Sequence, residues 1–535
     1  MAALDDKIRA LRERRADFSG EVVWHKFLLD AAFGIGGFRG RVGPTAIATL
    51  GWAADAYASV LSAISSPAVV NIDGRETYLD QFPREDAQKF SRRIDVSHYT
   101  NYVGPIHDTL ISYLNKEKPN RDKVPDELNE WMEDSVAASN KSWDDLLDEV
   151  IKPRASLLGW CPVLFDFPPM AIVPRSKAEE RELGRKPLAT PLFPVNVLDW
   201  GVDEQGVISS VKLCTKHETR PDGLLGKKVY EERYSLWYRD KVERYTVRRL
   251  DKTAAEEISS ETVTEHGLGR IPLVIFRAKP TSEDSVRGVS SIGNSAVAAR
   301  RLFNLESEMD DHIRGQVFAV MGVPVQSTDT DIGEIVGGNS NGIKVPATSR
   351  QGVHFAAPPA SVAATLEKRM EVMVREIYRT ENVEHVKATG TTATSGIARA
   401  YEFNQTNRRL SDMAASFARA EEEALKLVGG MMLANGSEEL TVTAPDDFSV
   451  EDLASEIAAV LEASGLDLGP TADTEMRRRL VRRIVPNLPS SVAEQIDDEL
   501  EKRRNRLLQD EAMGGELDSA GDTGIQDGSG EDGLG

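Results

Sequence analysis

Two long helical segments with apolar stripes, separated by a short block that cannot be helical, constrain this chain more than any other feature. Ala298, Leu302, Leu305, Met309 and Ile313 recur at three- and four-residue steps, which places them on one face of a long helix. Val362, Leu366, Met370, Met373 and Ile377 repeat the pattern after Pro358-Pro359. Between them, residues 315–358 hold only short apolar pieces (318–325, 343–345 and 353–355) among Gly, Asn, Ser, Thr and Asp. A small β module inserted between two helices is expected there.

The flanking sequence completes an α+β chain. The part up to about residue 120 reads as mostly helical: 53–64 carries Tyr57, Val60 and Leu61 at helical spacing, and 84–96 is a charged helix. From Pro105, a stripe of Ile106, Leu110, Ile111 and Leu114 marks another helix. A further helix over 143–158 is expected to be interrupted at Pro153. Between 160 and 277 the period shortens. β-branched and aromatic runs at 163–165, 195–198, 208–213, 230–239, 243–249 and 271–276 alternate with Gly, Pro and Asp, as in an antiparallel meander. Pro272 argues for an edge or first-strand position of the last run. After the polar loop 387–396, Leu410, Met413, Phe417, Ala420, Ala424 and Leu427 mark the buried stripe of a long helix, expected to end at Gly429-Gly430. A strand near 440–443 and a helical subdomain over 448–510 follow, broken at 465–470 and 486–489. The segment 511–535, Gly- and Asp-rich with no basic or aromatic residue, is expected to be disordered.

Charge and motifs narrow the function classes. The 535-residue chain carries a formal net charge of −21, which disfavours tight binding of DNA through phosphate neutralisation. Its two cysteines, Cys161 and Cys214, form no cluster, which excludes a disulfide scaffold or a Cys-rich zinc site. Residues 1–20 lack an apolar core, so no signal peptide is expected. No stretch approaches the roughly 18 apolar residues of a membrane span.

Gly226-Lys227-Lys228 lacks the spacing and the hydroxyl of a phosphate loop, and residues 288–293 lack the spacing of a nucleophile elbow. The Gly-rich run 33–40 follows no strong strand and reads as a flexible turn. Glu306, Glu308, Asp310 and Asp311 are a solvated or channel-lining helix face rather than a metal or acid–base site. The basic cluster Arg477, Arg478, Arg479, Arg482 and Arg483 reads as a helix face paired with acidic neighbours. No catalytic, cofactor or metal site is expected.

The order of these elements resembles that of bacteriophage portal proteins, the long-tailed-phage type in particular. The segment Arg93-Ile-Asp-Val-Ser-His-Tyr99-Thr-Asn101-Tyr-Val-Gly-Pro105-Ile106 is similar to the family's Y-x-N element preceding a Pro-led helix. Tyr78-Leu-Asp-Gln-Phe-Pro83-Arg-Glu85 resembles the approach to it. Pro194-Val-Asn-Val-Leu-Asp-Trp200 is similar to a wing strand, and Gly269-Arg-Ile-Pro-Leu-Val274 with 290–292 and 299–307 to the entry into a first stem helix. The likeness spans about 78–428.

The resemblance implies a domain map: an N-terminal region (1–77), wing (78–285), first stem helix (286–314), clip (315–358), second stem helix (359–380), tunnel loop (381–396), kinked wing helix and return strand (397–446), helical crown (447–510) and acidic tail (511–535). It implies a ring of about twelve subunits at a capsid vertex, closed by heterologous contacts. Leu302, Leu305, Met309, Ile313, Val362, Leu366, Met370 and Met373 would pack the stems of neighbouring subunits together. Lys387, Thr389, Gly390, Thr391, Thr392, Ser395 and Gly396 would face DNA. The implied partners are the terminase large subunit, a head–tail adaptor, major capsid and scaffolding proteins, and double-stranded DNA passing through. There would be no membrane, and the location would be the virion after assembly in the host cytoplasm. Another ring-forming connector or a minor capsid protein is the alternative, and a carboxylate-based hydrolase a remoter one.

Overall fold

A computed structural model describes residues 2–38, 71–72, 75–137, 139–168, 185–220, 226–249, 256–281, 286–317, 320–325, 342–346, 354–357, 359–383, 396–433, 438–445, 448, 469–484 and 490–518. The chain is α+β and divides into two compact units, residues 1–448 and 449–535. The helix expected over 53–64 and the loop residues 387–395 lie outside the described residues, as do 449–468 and 519–535.

The first unit opens with helices α1 (Ala2–Arg12) and α2 (Phe18–Phe33), then strands β1 (Asn71–Ile72) and β2 (Arg75–Glu76). Helices α3 (Ala87–Val96) and α4 (Val103–Leu114) follow, then β3 (Asn120–Asp122) and α5 (Asp126–Glu133). Asp86 caps α3 by accepting the amide of Lys89.

Pro153 does not interrupt the next helix. Instead α6 (Trp143–Leu146) passes through a π turn (Leu147–Ile151) into α7 (Lys152–Leu158), and the Lys152 amide reaches back to the Leu147 carbonyl. Pro153 brings no N–H, and the wider turn just ahead of it absorbs the mismatch that would otherwise break the helix.

The described strands between residues 160 and 277 form two sheets rather than one meander. β6 (Val197–Val202), β7 (Ile208–Thr219), β8 (Val229–Tyr238), β9 (Lys241–Arg249) and β10 (Glu257–Glu265) are the antiparallel meander. β4 (Trp160–Asp166) instead lies between β5 (Leu188–Pro191) and β11 (Leu273–Arg277) in a separate three-stranded sheet. β11 is an edge strand, as Pro272 suggests. Trp160, Ile271 and Leu273 pack with Val197, Val211, Leu213 and Trp237 in a core between the two sheets.

Helix α8 (Gly293–Val317) leads into β12 (Val320–Val325), β13 (Gly342–Pro346) and β14 (His354–Ala356), followed by α9 (Ala360–Thr380). β12 pairs parallel with β13 and antiparallel with β14, which makes the insert a three-stranded sheet. The closing helix α10 (Gly396–Met432) starts at Gly396, which therefore belongs to a helix rather than to the loop. It also runs through Gly429-Gly430, so these glycines do not end it. β15 (Thr441–Thr443) pairs with β3. In the second unit, α11 (Pro470–Ile484) precedes α12 (Ser490–Asp518), so helix extends into the first eight residues of the segment expected to be disordered.

The Gly-rich run is not a free turn. Gly34 ends α2 in the left-handed region, and Gly36 and Gly37 press against Asp30 and the Tyr78 ring. A Cβ on Gly37 would lie 2.7 Å from that ring, so no side chain fits there. Phe38 then completes an aromatic knot with Phe27, Tyr78, Tyr99 and Phe303, with ring centroids 4.2 to 6.0 Å apart. Such pairs contribute roughly 0.5–1.5 kcal/mol each beyond area burial. They bind α2, the segment before α4 and the base of α8 into one core.

Candidate functional site

α8 and α9 form an antiparallel hairpin. At one end, Val320 pairs with Ala356 and so joins the end of α8 to the start of α9. At the other, the Ser295 amide donates to the Glu381 carboxylate, which returns the end of α9 to the start of α8. At about 1.5 Å per residue the 25-residue α8 is roughly 37 Å long. α9 ends where Asn382 adopts φ 55°, a left-handed turn that asparagine tolerates.

Two of the segments that carry the resemblance, 78–85 and 93–106, fasten the base of this hairpin and the end of α2. Tyr99 Oη donates to the Ala31 carbonyl, and Asn101 Nδ2 to that of Ala32, so both dock on the end of α2. Asn101 Oδ1 also accepts the Gly104 amide at the start of α4. Arg93 grips Glu85 with two hydrogen bonds, of 3.0 and 2.9 Å, in a site where the two side chains are 4% and 1% exposed. It also donates to Ser307 on α8 and to the Asp80 carbonyl, and lies 3.7 Å from the Phe82 ring centroid. Asn304 holds the Asp80 amide and the Tyr78 carbonyl, and Lys89 pairs with Asp311.

The expected stem residues separate along the hairpin. Leu302 and Leu305 are buried within the chain's own core, so they are not available to a neighbouring subunit. Met309, Leu366, Met370 and Met373 are half-buried. Ile313 and Val362 are exposed, as are Val317 and Val372. Ser295, Ala299, Leu302, Ile313 and Val317 share one helical face, buried against the body near its start and uncovered toward the tip. On the tip sheet, Phe355 is 69% exposed.

The carboxylates of α8 do not converge. Burial raises the Glu306 carboxyl above its ordinary value, against the lowering effect of the Thr100 hydroxyl, which donates to it at 3.0 Å. Among the described residues no group of three or more His, Cys, Asp or Glu side chains is placed to hold a metal ion. No described helix is long and apolar enough to cross a membrane. Arg477 pairs with Asp473, and Arg478 with Glu475 and Asp497, in keeping with a paired helix face. Of the loop residues expected to face DNA, only Gly396 is described.

A cleft of about 1090 Å³ lies where the hairpin meets the body, between α2, the segment before α8, the end of α9 and α10. It is built on a close backbone contact, in which a Cβ on Gly288 would fall 2.4 Å from the Gly159 carbonyl oxygen. On its wall, burial lowers the pKa of His25, opposed by Glu21 and by the Leu158 carbonyl 3.0 Å from Nε2. Sequence reasoning misses this cleft because its walls come from segments more than 350 residues apart.

No protein family matches this sequence, and no curated protein is detectably similar to it.

Proposed function

We propose that this chain is a phage portal subunit, one copy of a ring through which double-stranded DNA enters and leaves a capsid. The observation that carries the reading is the α8–α9 hairpin tipped by a small sheet, with apolar side chains left open along its outer part. Val317, Ile313 and Val362 are 61%, 43% and 42% exposed on elements that have spare length beyond the body's core. A helix face that stays apolar after leaving its own core calls for a partner. Side-by-side packing of hairpins from successive copies, a heterologous contact closing by rotation, supplies one. The element order and the Tyr99/Asn101 segment agree with the portal resemblance.

In this reading the tip sheet docks the terminase during packaging and a head–tail adaptor afterwards. DNA slides through the ring because a chain of net charge −21 neutralises few phosphates. ATP hydrolysis belongs to the motor, consistent with a sequence that lacks a phosphate loop.

End-on electron micrographs of the purified chain test this directly. Rings of about twelvefold symmetry around a hole wide enough for duplex DNA are expected. A monomer or dimer at every salt and protein concentration overturns the reading.

A further inference from the structure

We propose that the α8–α9 hairpin is acidic on one side and basic on the other, and that this asymmetry packs successive copies of the chain head-to-tail, the acidic side of one against the basic side of the next. The inference rests on the ring reading above and adds which surface meets which.

The two sides follow from helix geometry. Leu305 and Met309 on α8, and Met370, Met373 and Ile377 on α9, form the buried and half-buried ridges of the hairpin. About a quarter turn from its ridge, α8 carries Glu306, Asp310, Ile313 and Val317 on one side, and Val297, Arg301 and Glu308 on the other. α9 likewise carries Glu367, Glu371 and Tyr378 on one side, and Arg369 and Val372 on the other, with Lys368 and Arg375 next to them. Thr100 donates to Glu306, and Tyr102 just after it meets the Tyr378 ring, with centroids 6.1 Å apart. Glu306 and Tyr378 therefore share a side.

That side holds Glu306, Asp310, Glu367 and Glu371, with no Lys or Arg from either helix. The other holds Arg301, Lys368, Arg369 and Arg375, with Glu308 as its unpaired carboxylate. The ion pairs described on these helices use Asp311, Arg300, Glu376 and Arg379, and neutralise none of these charges. Apolar side chains are open on both sides: Ile313 and Val317 on the acidic one, and Val297 and Val372, 54% and 56% exposed, on the basic one.

The sides also match in height. The hydrogen bond from Ser295 to Glu381 sets the two helices level at the base. Counted from it at about 1.5 Å per residue, Glu306, Asp310, Glu367 and Glu371 lie roughly 15–22 Å up, and Lys368 and Arg369 about 18–20 Å. Ile313, Val317 and Val362 lie about 27–33 Å up by the same count. Copies in a closed ring sit at one height, so the contact brings Lys368 and Arg369 onto the carboxylates and Val362 onto Ile313 and Val317. A two-fold pairing through the acidic sides would instead set like charges against each other, so the same residues disfavour a dimer.

Charge reversal at exposed positions tests this. Asp310→Lys with Glu367→Lys and Glu371→Lys gives a chain with both sides basic. Lys368→Glu with Arg369→Glu and Arg375→Glu gives one with both sides acidic. Each variant alone is expected to raise the protein concentration at which rings appear in micrographs by at least about tenfold. A 1:1 mixture of the two is expected to form rings as readily as wild type, because each side then meets its opposite. A chain carrying all six changes is expected to do the same. Rings from either variant alone at the wild-type concentration overturn this inference and leave the portal reading standing. So does failure of both the mixture and the six-change chain to form rings. Absence of rings from the wild-type chain overturns both.

Discussion

Replacing Glu85 by Gln removes one charge from a pair that the fold has taken almost entirely out of water. Arg93 would keep its contacts to Ser307, the Asp80 carbonyl and the Phe82 ring but lose the carboxylate that offsets its desolvation. Breaking a buried pair from one side costs roughly 3–5 kcal/mol, because the remaining charge stays buried. The amide can still accept one hydrogen bond, so about 3 kcal/mol is expected.

Urea unfolding at pH 7, followed by the fluorescence of buried Trp131, Trp143, Trp160 and Trp237, measures the loss. The double variant Glu85→Leu with Arg93→Met should be more stable than either single variant by at least about 1 kcal/mol, since it removes the buried charge altogether. Burial alone would raise the Glu85 carboxyl, but the hydrogen bonds from Arg93 and the Phe82 amide outweigh it and hold the group below its ordinary value. The folded pKa is therefore below the unfolded one. The contribution is present above about pH 4.3 and is lost as pH falls through the folded value. A cost under about 1 kcal/mol for Glu85→Gln, or strictly additive single and double variants, would refute the argument that this pair anchors the hairpin.

Three further outcomes are expected. Ile313→Asp with Val317→Asp, both at exposed positions, should leave the unfolding free energy of the monomer, measured in urea, within about 0.5 kcal/mol of wild type. The same change should abolish rings in micrographs, and unchanged rings would remove the stem stripe from the interface. Gly37→Ala should destabilise by more than about 1 kcal/mol, because its Cβ meets the Tyr78 ring, whereas Gly430→Ala, inside α10 with open space around it, should gain up to about 1 kcal/mol; thermal melts rank the two. Burial holds the His25 pKa below its ordinary value, so the unfolded state takes up the proton first and stability falls as pH drops through about 6.5. His25→Gln should flatten that slope relative to wild type between pH 7.5 and about 5.5, and identical slopes would show that His25 does not titrate in the unfolded state alone.

The hairpin and its insert were legible because their signal is local. Apolar steps of three and four residues continue long enough to define α8 and α9, and Pro358-Pro359 marks where the second begins. β10 was not legible: it is Glu-, Ser- and Thr-rich, nearly all exposed, and has no alternation to read. Its strand state comes from pairing with β9, with Lys7 of α1 bridging to Glu261. β15 lies within the strand expected near 440–443, but its partner β3, three residues long, was not legible, because it becomes a strand only through pairing with β15 across more than 300 residues. The fastening of the end of α2 by Tyr99 and Asn101 was not legible either, because it depends on two carbonyls that no spacing rule identifies. The cleft was invisible for the same reason, since its lining depends on the tertiary fold.

The fastening of α8 also decides how the molecule bears force. Arg300, Asn304, Ser307 and Asp311 are each clasped to the segment 78–97, whereas α9 joins the body only near its end, through the buried Ile377, Tyr378 against Tyr102 and the Glu381–Arg409 pair among the described contacts, and otherwise packs on α8. A push or twist at the tip sheet therefore travels down α8 as the strut and enters the body at Arg93. α9 acts as a brace that keeps the strut from bending. Mechanical work done at the tip is delivered to the aromatic knot around Phe38 and Phe303, and through it to α2.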